Sequence, residues 1–201
     1  MDGFIQNSDL NYYTDHGYIH LRNIVNTKVV DKIKKRGLKQ RNWVDERPVA
    51  NPVAGKYDDY LSKFYRSRLM YDLASTLLKE SDIWLFNDQV VIKKPFDNFV
   101  FPEHTDNDVV DANKDYSIET VNLSVILDDF TDENGTLEVL SNLTKNWVTL
   151  YPKKGDIVGI RGNTLHRSGE NKSSKSRGLF ACVYTEDKLE FDRFYSERFI
   201  I

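Results

Sequence analysis

ETVNLSVILDDFTDENGTLEVLSNLTKNWVTLYPKKGDIVGIR, residues 119–161, decides the fold class. It breaks into short runs, ETVNLSVILD, TLEVL, VTLYP and DIVGIR, rich in apolar and β-branched residues and separated by the turn-forming DENG and PKKGD. Outward from this stretch, IWLF, QVVIKK and NFVFPEH precede it from Ile83 on, and GLFACVYTE follows it, with PFDN, RGN and GENKSSKS between. About eight short strands at this spacing make a β-sandwich, jelly roll or barrel.

The first 80 residues read differently. In SDLNYYTDHG, Ser8 or Asp9 is a cap and Gly17 a stop for a helix, and GYIHLRNIV alternates as a strand. Asn26 or Thr27 caps the basic run Lys28–Arg41, in which Val29, Val30 and Ile33 mark one side. DDYLSKFYRSRLMYDLASTLLKE sets Leu61, Phe64 or Tyr65, Leu69, Leu73 and Leu77 at the spacing of one helix. Between these two helices WVDERPVANPVAGKY, residues 43–57, reads as a long irregular loop of the kind that sits over a site. The expectation is one domain over 1–201: a mainly β jelly-roll core from about 83, with N-terminal helices (about 1–80) on one face.

Composition excludes several classes. The chain has 201 residues, 40% hydrophobic and 29% charged, which is enough to bury a core without crosslinks. A single cysteine, Cys182, rules out an internal disulfide framework and a cysteine-based zinc site, and its mid-strand position reads as core packing. No apolar run has the length of a membrane span, and MDGFIQNSDL lacks a signal layout, so an intracellular, cytoplasmic protein without a membrane partner is expected. A net charge of −3 gives no field for nucleic acid, and no aromatics interleave the Lys28–Arg41 charges, which read as a solvated helix face. Nothing in the sequence fixes an oligomeric state.

Four histidines carry the argument toward chemistry. His20 alternates with Ile19 and Leu21 and reads as a solvent-facing or hydrogen-bonded side chain. His104 ends the run FVFPEH, and Asp106 stands two residues on, a spacing that puts both side chains on one face of an extended chain. His166 follows DIVGIRGNTL. Two histidines and a carboxylate with open positions suit non-haem Fe(II). A His-x-Asp triplet by itself fits a satisfied surface pair equally well. Downstream, Ser168 and Arg177 change the balance: if 163–176 is a hairpin-like connection, Arg177 returns antiparallel beside the strand ending at His166 and points into the same cavity. A buried arginine there needs a carboxylate, which a dicarboxylic cosubstrate would supply. Lys93, Arg161 and the acidic stretch Asp106–Glu119 fit recognition of a charged small molecule, and Lys93 and Arg161 fit snorkelling strand-edge residues equally.

Taken together, His104-Thr105-Asp106, the distal His166, Ser168 and Arg177 resemble the signature of Fe(II)/2-oxoglutarate-dependent oxygenases, and the phytanoyl-CoA dioxygenase-like group above all. The resemblance extends to DHGYIHLRNIV with its following helix, to LDDFTDENGTLEVL, and to GDIVGIRGNTLHRSGENKSSKSRGLFACVYT, in the family's order. It implies a double-stranded β-helix (cupin-like jelly roll) and an oxidoreductase using Fe(II), 2-oxoglutarate and O2 on a small-molecule substrate. His104, Asp106 and His166 would bind iron, and Arg177 and Ser168 would grip the distal carboxylate of 2-oxoglutarate. Gln89, Lys93, Asn122 and Ser124 match strands on which relatives place cosubstrate or substrate contacts. Ser141-Asn142-Leu143-Thr144 departs from the family's Pro-Gly-Ser-His, and the retained Asp106 disfavours halogenation. Hydroxylation is the leading expectation. Desaturation, cyclisation and epimerisation by the same cofactors stay open, as does a cupin-like isomerase or hydrolase without 2-oxoglutarate. The segments Trp43–Tyr57 and Asn107–Thr120 are the lid candidates.

Overall fold

A computed structural model describes residues 4–39, 54–107 and 118–188, and the backbone of 197–198. The helices α1 (Asn7–His16), α2 (Thr27–Lys39), α3 (Asp59–Tyr65) and α4 (Arg68–Leu78) alternate with or precede the strands. The strands are β1 (Tyr18–Leu21), β2 (Trp84–Lys93), β3 (Phe101–His104), β4 (Thr120–Ile126), β5 (Leu137–Leu140), β6 (Trp147–Leu150), β7 (Ile157–Arg161), β8 (His166–Ser168), β9 (Arg177–Thr185) and β10 (Glu197–Arg198). They form a six-stranded sheet, β1-β7-β4-β9-β2-β10, facing a four-stranded sheet, β3-β8-β5-β6, with every pairing antiparallel. This is the expected jelly roll. Among the described residues no helix is long and apolar enough to cross a membrane.

The large sheet is buried on both faces, and its two-residue period divides the work. From β4, Val121, Leu123 and Val125 meet Val30, Ile33, Met70, Leu73 and Leu77 of the helices, which cover one face as expected. The other face looks into the sandwich, where Ile126, Val158 and Ile160 meet Leu137, Val139 and Leu150 of the small sheet. Asn122 and Ser124 share that inward face and are buried. Gly37 lets α2 sit close to the sheet: a Cβ there would fall 2.5 Å from a Val90 methyl.

Several elements differ from the sequence reading. IWLF and QVVIKK form one strand, β2, because a register shift between Leu85 and Asn87 absorbs the polar Asn87-Asp88 instead of breaking the ladder with β9. The 58–80 helix divides in two: Ser67 Oγ accepts from Met70 N at 3.5 Å and caps α4, while the Tyr65 carbonyl accepts from the Tyr184 hydroxyl at 2.7 Å. β3 starts only at Phe101, since Asp97 takes the N–H groups of Lys94 and Phe99 at 3.1 and 3.0 Å and holds a turn. The connection 163–176 is not a hairpin. β8 pairs with β3 and β5 in the small sheet, whereas β9 pairs with β2 and β4 in the large one. Of the two lid candidates, 43–53 and 108–117 lie outside the described residues; Ala54–Tyr57 form a 3-10 turn whose Gly55 N–H donates to Asp88 at 2.7 Å.

One buried carboxylate ties the N-terminal unit to the turn before β7. Asp156, 2% exposed, accepts from His20 Nε2 at 2.8 Å, Asn23 N at 2.9 Å and Lys153 N at 2.8 Å. Burial pushes its pKa up, but the two backbone N–H groups and His20 outweigh it and hold the carboxyl below the ordinary aspartate value. Asp156→Ala is expected to cost about 1–3 kcal/mol in urea unfolding, because three donors lose their acceptor. The wild-type contribution is present above the unfolded carboxyl value of about 3.9 and is lost as pH falls through the lower folded value, so the variant's deficit shrinks in acid.

Candidate metal centre

β3 and β8 bring two histidines together by register. His104 and His166 are directly paired, with ring centroids 4.2 Å apart. Each Nδ1 faces a carbonyl two residues back, His104 that of Pro102 at 2.8 Å and His166 that of Thr164 at 3.0 Å. A carbonyl oxygen can only accept, so each Nδ1 carries a hydrogen, the tautomer in which a metal is met by Nε2. Asp106 completes the group: its Oδ1 is 3.8 Å from His166 Nε2, and one ligand atom from each of the three residues lies within 4.8 Å of the others. Asp106 Oδ2 accepts from Asn122 Nδ2 at 3.0 Å, and Asn122 Oδ1 accepts from Ser124 Oγ at 3.0 Å. That short relay across the inward face of β4 turns the other carboxylate oxygen toward the histidines. Two neutral imidazoles and one carboxylate, all approaching from one side, are the donor set for a divalent first-row metal with open positions.

Arg177 enters the same cleft from the opposite sheet. It is 1% exposed, donates from Nη2 to the Gly135 carbonyl at 2.5 Å, and lies 4.0 Å from the centroid of Phe130. Its buried Nε has no partner. Burial pulls its pKa down to about 9, against a smaller upward pull from Asp128. An arginine in this condition has room for an anion. Gly135, at φ +74°, permits the arrangement, since a Cβ there would run into the Gly169 carbonyl.

Lys93 pairs with Arg177 in the β2–β9 ladder and is 0% exposed, so it does not snorkel. Its Nζ donates to the carbonyls of Ser168 (3.3 Å) and Gly169. Burial first, and then Arg177, push its pKa down to about 7.

A cleft joins these parts, lined by the triad together with Gln89, Asn122, Ser124, Ser168 and Arg177 and by apolar side chains such as Val91, Leu137 and Leu179. Lys93 is not in its lining and stands beside Arg177, on the same face of β2 as Gln89 and Val91. Arg161 is placed elsewhere. Its Nε donates to Glu119 at 2.7 Å beside a separate hollow lined by Tyr13 and Leu77. His20 is hydrogen-bonded, as expected, to Asp156 at 2.8 Å. Along α2, Lys32 lies over the Tyr60 ring and Lys34 and Arg36 pair with Asp128 and Asp58, so part of the basic face is docked and not solvated.

Residues that position the site without signalling themselves include Asn171. Its side chain donates to the carbonyls of Lys94 and Lys175 at 2.6 and 2.8 Å and accepts from Ser173 N at 3.1 Å, shaping the turn that leads into Arg177. Thr164, whose carbonyl orients His166, donates its hydroxyl to the Gly17 carbonyl at 3.1 Å and accepts from Asn142 at 3.2 Å. The departing loop Ser141–Thr144 is thereby tied to the α1–β1 turn, with Ser141 Oγ also 2.9 Å from His16 Nδ1.

The sequence pattern of the phytanoyl-CoA dioxygenase family matches residues 13–179. No curated protein matches the chain in sequence. Among solved structures, EctD from S. alaskensis with 2-oxoglutarate and 5-hydroxyectoine is similar at a TM-score of 0.81 and 18% identity, over 94% of this chain and 79% of that one. EvdO2 from Micromonospora carbonacea var. aurantiaca, complexed with 2-oxoglutarate, gives 0.78 and 16% over 91% of each chain. The non-haem α-ketoglutarate-dependent carbocyclase SnoK from nogalamycin biosynthesis gives 0.79 and 14% over 96% of each. With the family's pattern running through α1, both sheets and the first residues of β9, the chain belongs to the phytanoyl-CoA dioxygenase family.

Proposed function

We propose that this protein is an Fe(II)- and 2-oxoglutarate-dependent dioxygenase that hydroxylates a small-molecule substrate, releasing succinate and CO2. The observation that carries the reading is the meeting, in one cleft, of a His-Asp-His donor set within 4.8 Å and a buried arginine with an unpartnered Nε. His104, Asp106 and His166 are the residues that would hold Fe(II), and Arg177 with Ser168 those that would hold the distal carboxylate of 2-oxoglutarate. Bound together, iron and 2-oxoglutarate supply O2 activation coupled to decarboxylation of the keto acid.

The chain's own contribution is placement. The carbonyls of Pro102 and Thr164 hold both imidazoles in the tautomer that presents Nε2. Asn122 holds the Asp106 carboxylate in orientation. It is thereby committed to Asp106, while Gln89 and Ser124 offer polar contacts on the cleft wall. Lys93 lies beside Arg177 in the ladder, its Nζ on the Ser168 and Gly169 carbonyls at the edge of the cleft. The apolar side chains of Val91, Leu137 and Leu179 exclude water and leave a small molecule to be held by shape. A cytoplasmic location goes with this proposal, in keeping with a lone cysteine that is free and buried. SnoK, a carbocyclase, is similar in fold, so the product formed decides between hydroxylation and ring closure.

Anaerobic titration of metal-free protein with Fe(II) and then 2-oxoglutarate is expected to raise the visible charge-transfer band of a chelated keto acid. Iron binding without a band would favour a cupin-like isomerase or hydrolase. Asp106→Ala is expected to abolish both the band and iron-dependent succinate formation; substantial residual turnover would remove Asp106 from the ligand set. Arg177→Leu should raise the 2-oxoglutarate requirement about tenfold to a hundredfold while leaving Fe(II) binding near wild type, since a charge-assisted hydrogen bond contributes about 1.5–3 kcal/mol. An unchanged cosubstrate requirement would move that role to another residue.

A further inference from the structure

Arg177 has a carboxylate of its own chain close at hand. The β4–β9 ladder pairs Ile126 with Leu179, and beyond it Leu127 N donates to the Gly178 carbonyl at 2.9 Å. The ladder itself ends at Ile126 and the chain bends at Asp128, but its register, carried on by one residue, would set Asp128 opposite Arg177. Directly opposed residues in antiparallel strands are near neighbours, and opposite charges there attract. Asp128 acts on Arg177 through its field, yet the guanidinium bonds to the Gly135 carbonyl and its Nε stays unpartnered.

Lys34 accounts for this. From α2 its Nζ bonds Asp128 Oδ1 at 2.6 Å and Oδ2 at 2.8 Å, and it also reaches Ser176 Oγ, one residue before Arg177, at 3.1 Å. Asp128 Oδ2 lies 3.4 Å from where a Cβ on Gly178 would stand, among Ile92 and Leu127 of the helix-side core. The carboxylate is therefore turned toward α2, and Arg177 is left facing the cleft. Two basic residues bid for one carboxylate, and the helix holds it.

We propose that Lys34 is a positioning residue for the cosubstrate site: by pinning Asp128 on the helix side of the large sheet, it keeps Arg177 available to a carboxylate arriving through the cleft. The inference rests on the reading of Arg177 given above. Lys34 touches no ligand and acts through Asp128. Removing it releases an internal carboxylate that competes with 2-oxoglutarate from a tethered position, where no increase in chain concentration is needed.

The test titrates Fe(II)-loaded protein anaerobically with 2-oxoglutarate, following the charge-transfer band, and records the thermal midpoint of each metal-free variant. Lys34→Met is expected to weaken 2-oxoglutarate binding about tenfold or more, the scale of one charge-assisted hydrogen bond, with Fe(II) binding unchanged. Asp128→Asn added to Lys34→Met restores binding, and Lys34→Arg, which keeps the charge, binds like wild type. A role confined to docking α2 would lower the midpoint without moving the affinity, and the second substitution would rescue nothing. Wild-type affinity in Lys34→Met, or a double variant as weak as Lys34→Met, overturns the inference while the wild-type band stands. Absence of the band from wild-type protein overturns the functional reading, and this inference with it.

Discussion

The strand's two-residue period is the constraint from which the rest follows. β4 is buried along its whole length, so it has no solvent face on which to put polar residues. Val121, Leu123 and Val125 go to the helices, and Asn122 and Ser124, with Ile126, go to the inside of the sandwich. Polar groups buried in that way must be satisfied by one another, and they are: Ser124 donates to Asn122, and Asn122 to Asp106. The same alternation on β2 and β9 sends Gln89 and Arg177 into the cleft and Val90 and Phe180 into the helical core. The helices that cover the large sheet thus have a consequence inside the cleft, because they allow its inner face to be polar without giving up a core.

The small sheet meets this polar face with histidines. Direct pairing of His104 with His166 fixes their separation, and local backbone carbonyls fix their tautomers. Neither histidine depends on a distant side chain for its orientation, although His166 depends on Thr164, and Thr164 on the turn at Gly17. Arg177 is held in a different way, between Phe130, the Gly135 carbonyl and the neighbouring Lys93. Two buried basic groups lie side by side there, and burial lowers the basicity of both, Lys93 to about 7 and Arg177 to about 9.

The motif glycines and asparagines of the family take physical form here. Gly135 lets two backbone segments touch under Arg177, and Asn171 gathers carbonyls from two loops into the turn that precedes it. In the sequence both residues read as turn signals and as positions of the family's pattern, without their partners, because their neighbours in space are distant along the chain. Lys34 and Asp128 are similarly silent: one reads as a charge on a solvated helix face and the other as the last residue of the run ETVNLSVILD.

Local pattern and side-chain chemistry carry the class of fold, the helices on one face and the two-residue spacing of His104 and Asp106. The sequence also led to the right cleft for Arg177 by a wrong route, a hairpin with the strand before it. It takes the folded chain to show that Arg177 arrives from the opposite sheet, that β2 runs unbroken through Asn87-Asp88, that Lys93 is buried beside the arginine, and that Asp128 is turned away from it. The physical reason is common to all four. Period and composition say which side chains share a face, but which faces meet is set by pairing between strands far apart in the chain, and no local signal carries that information.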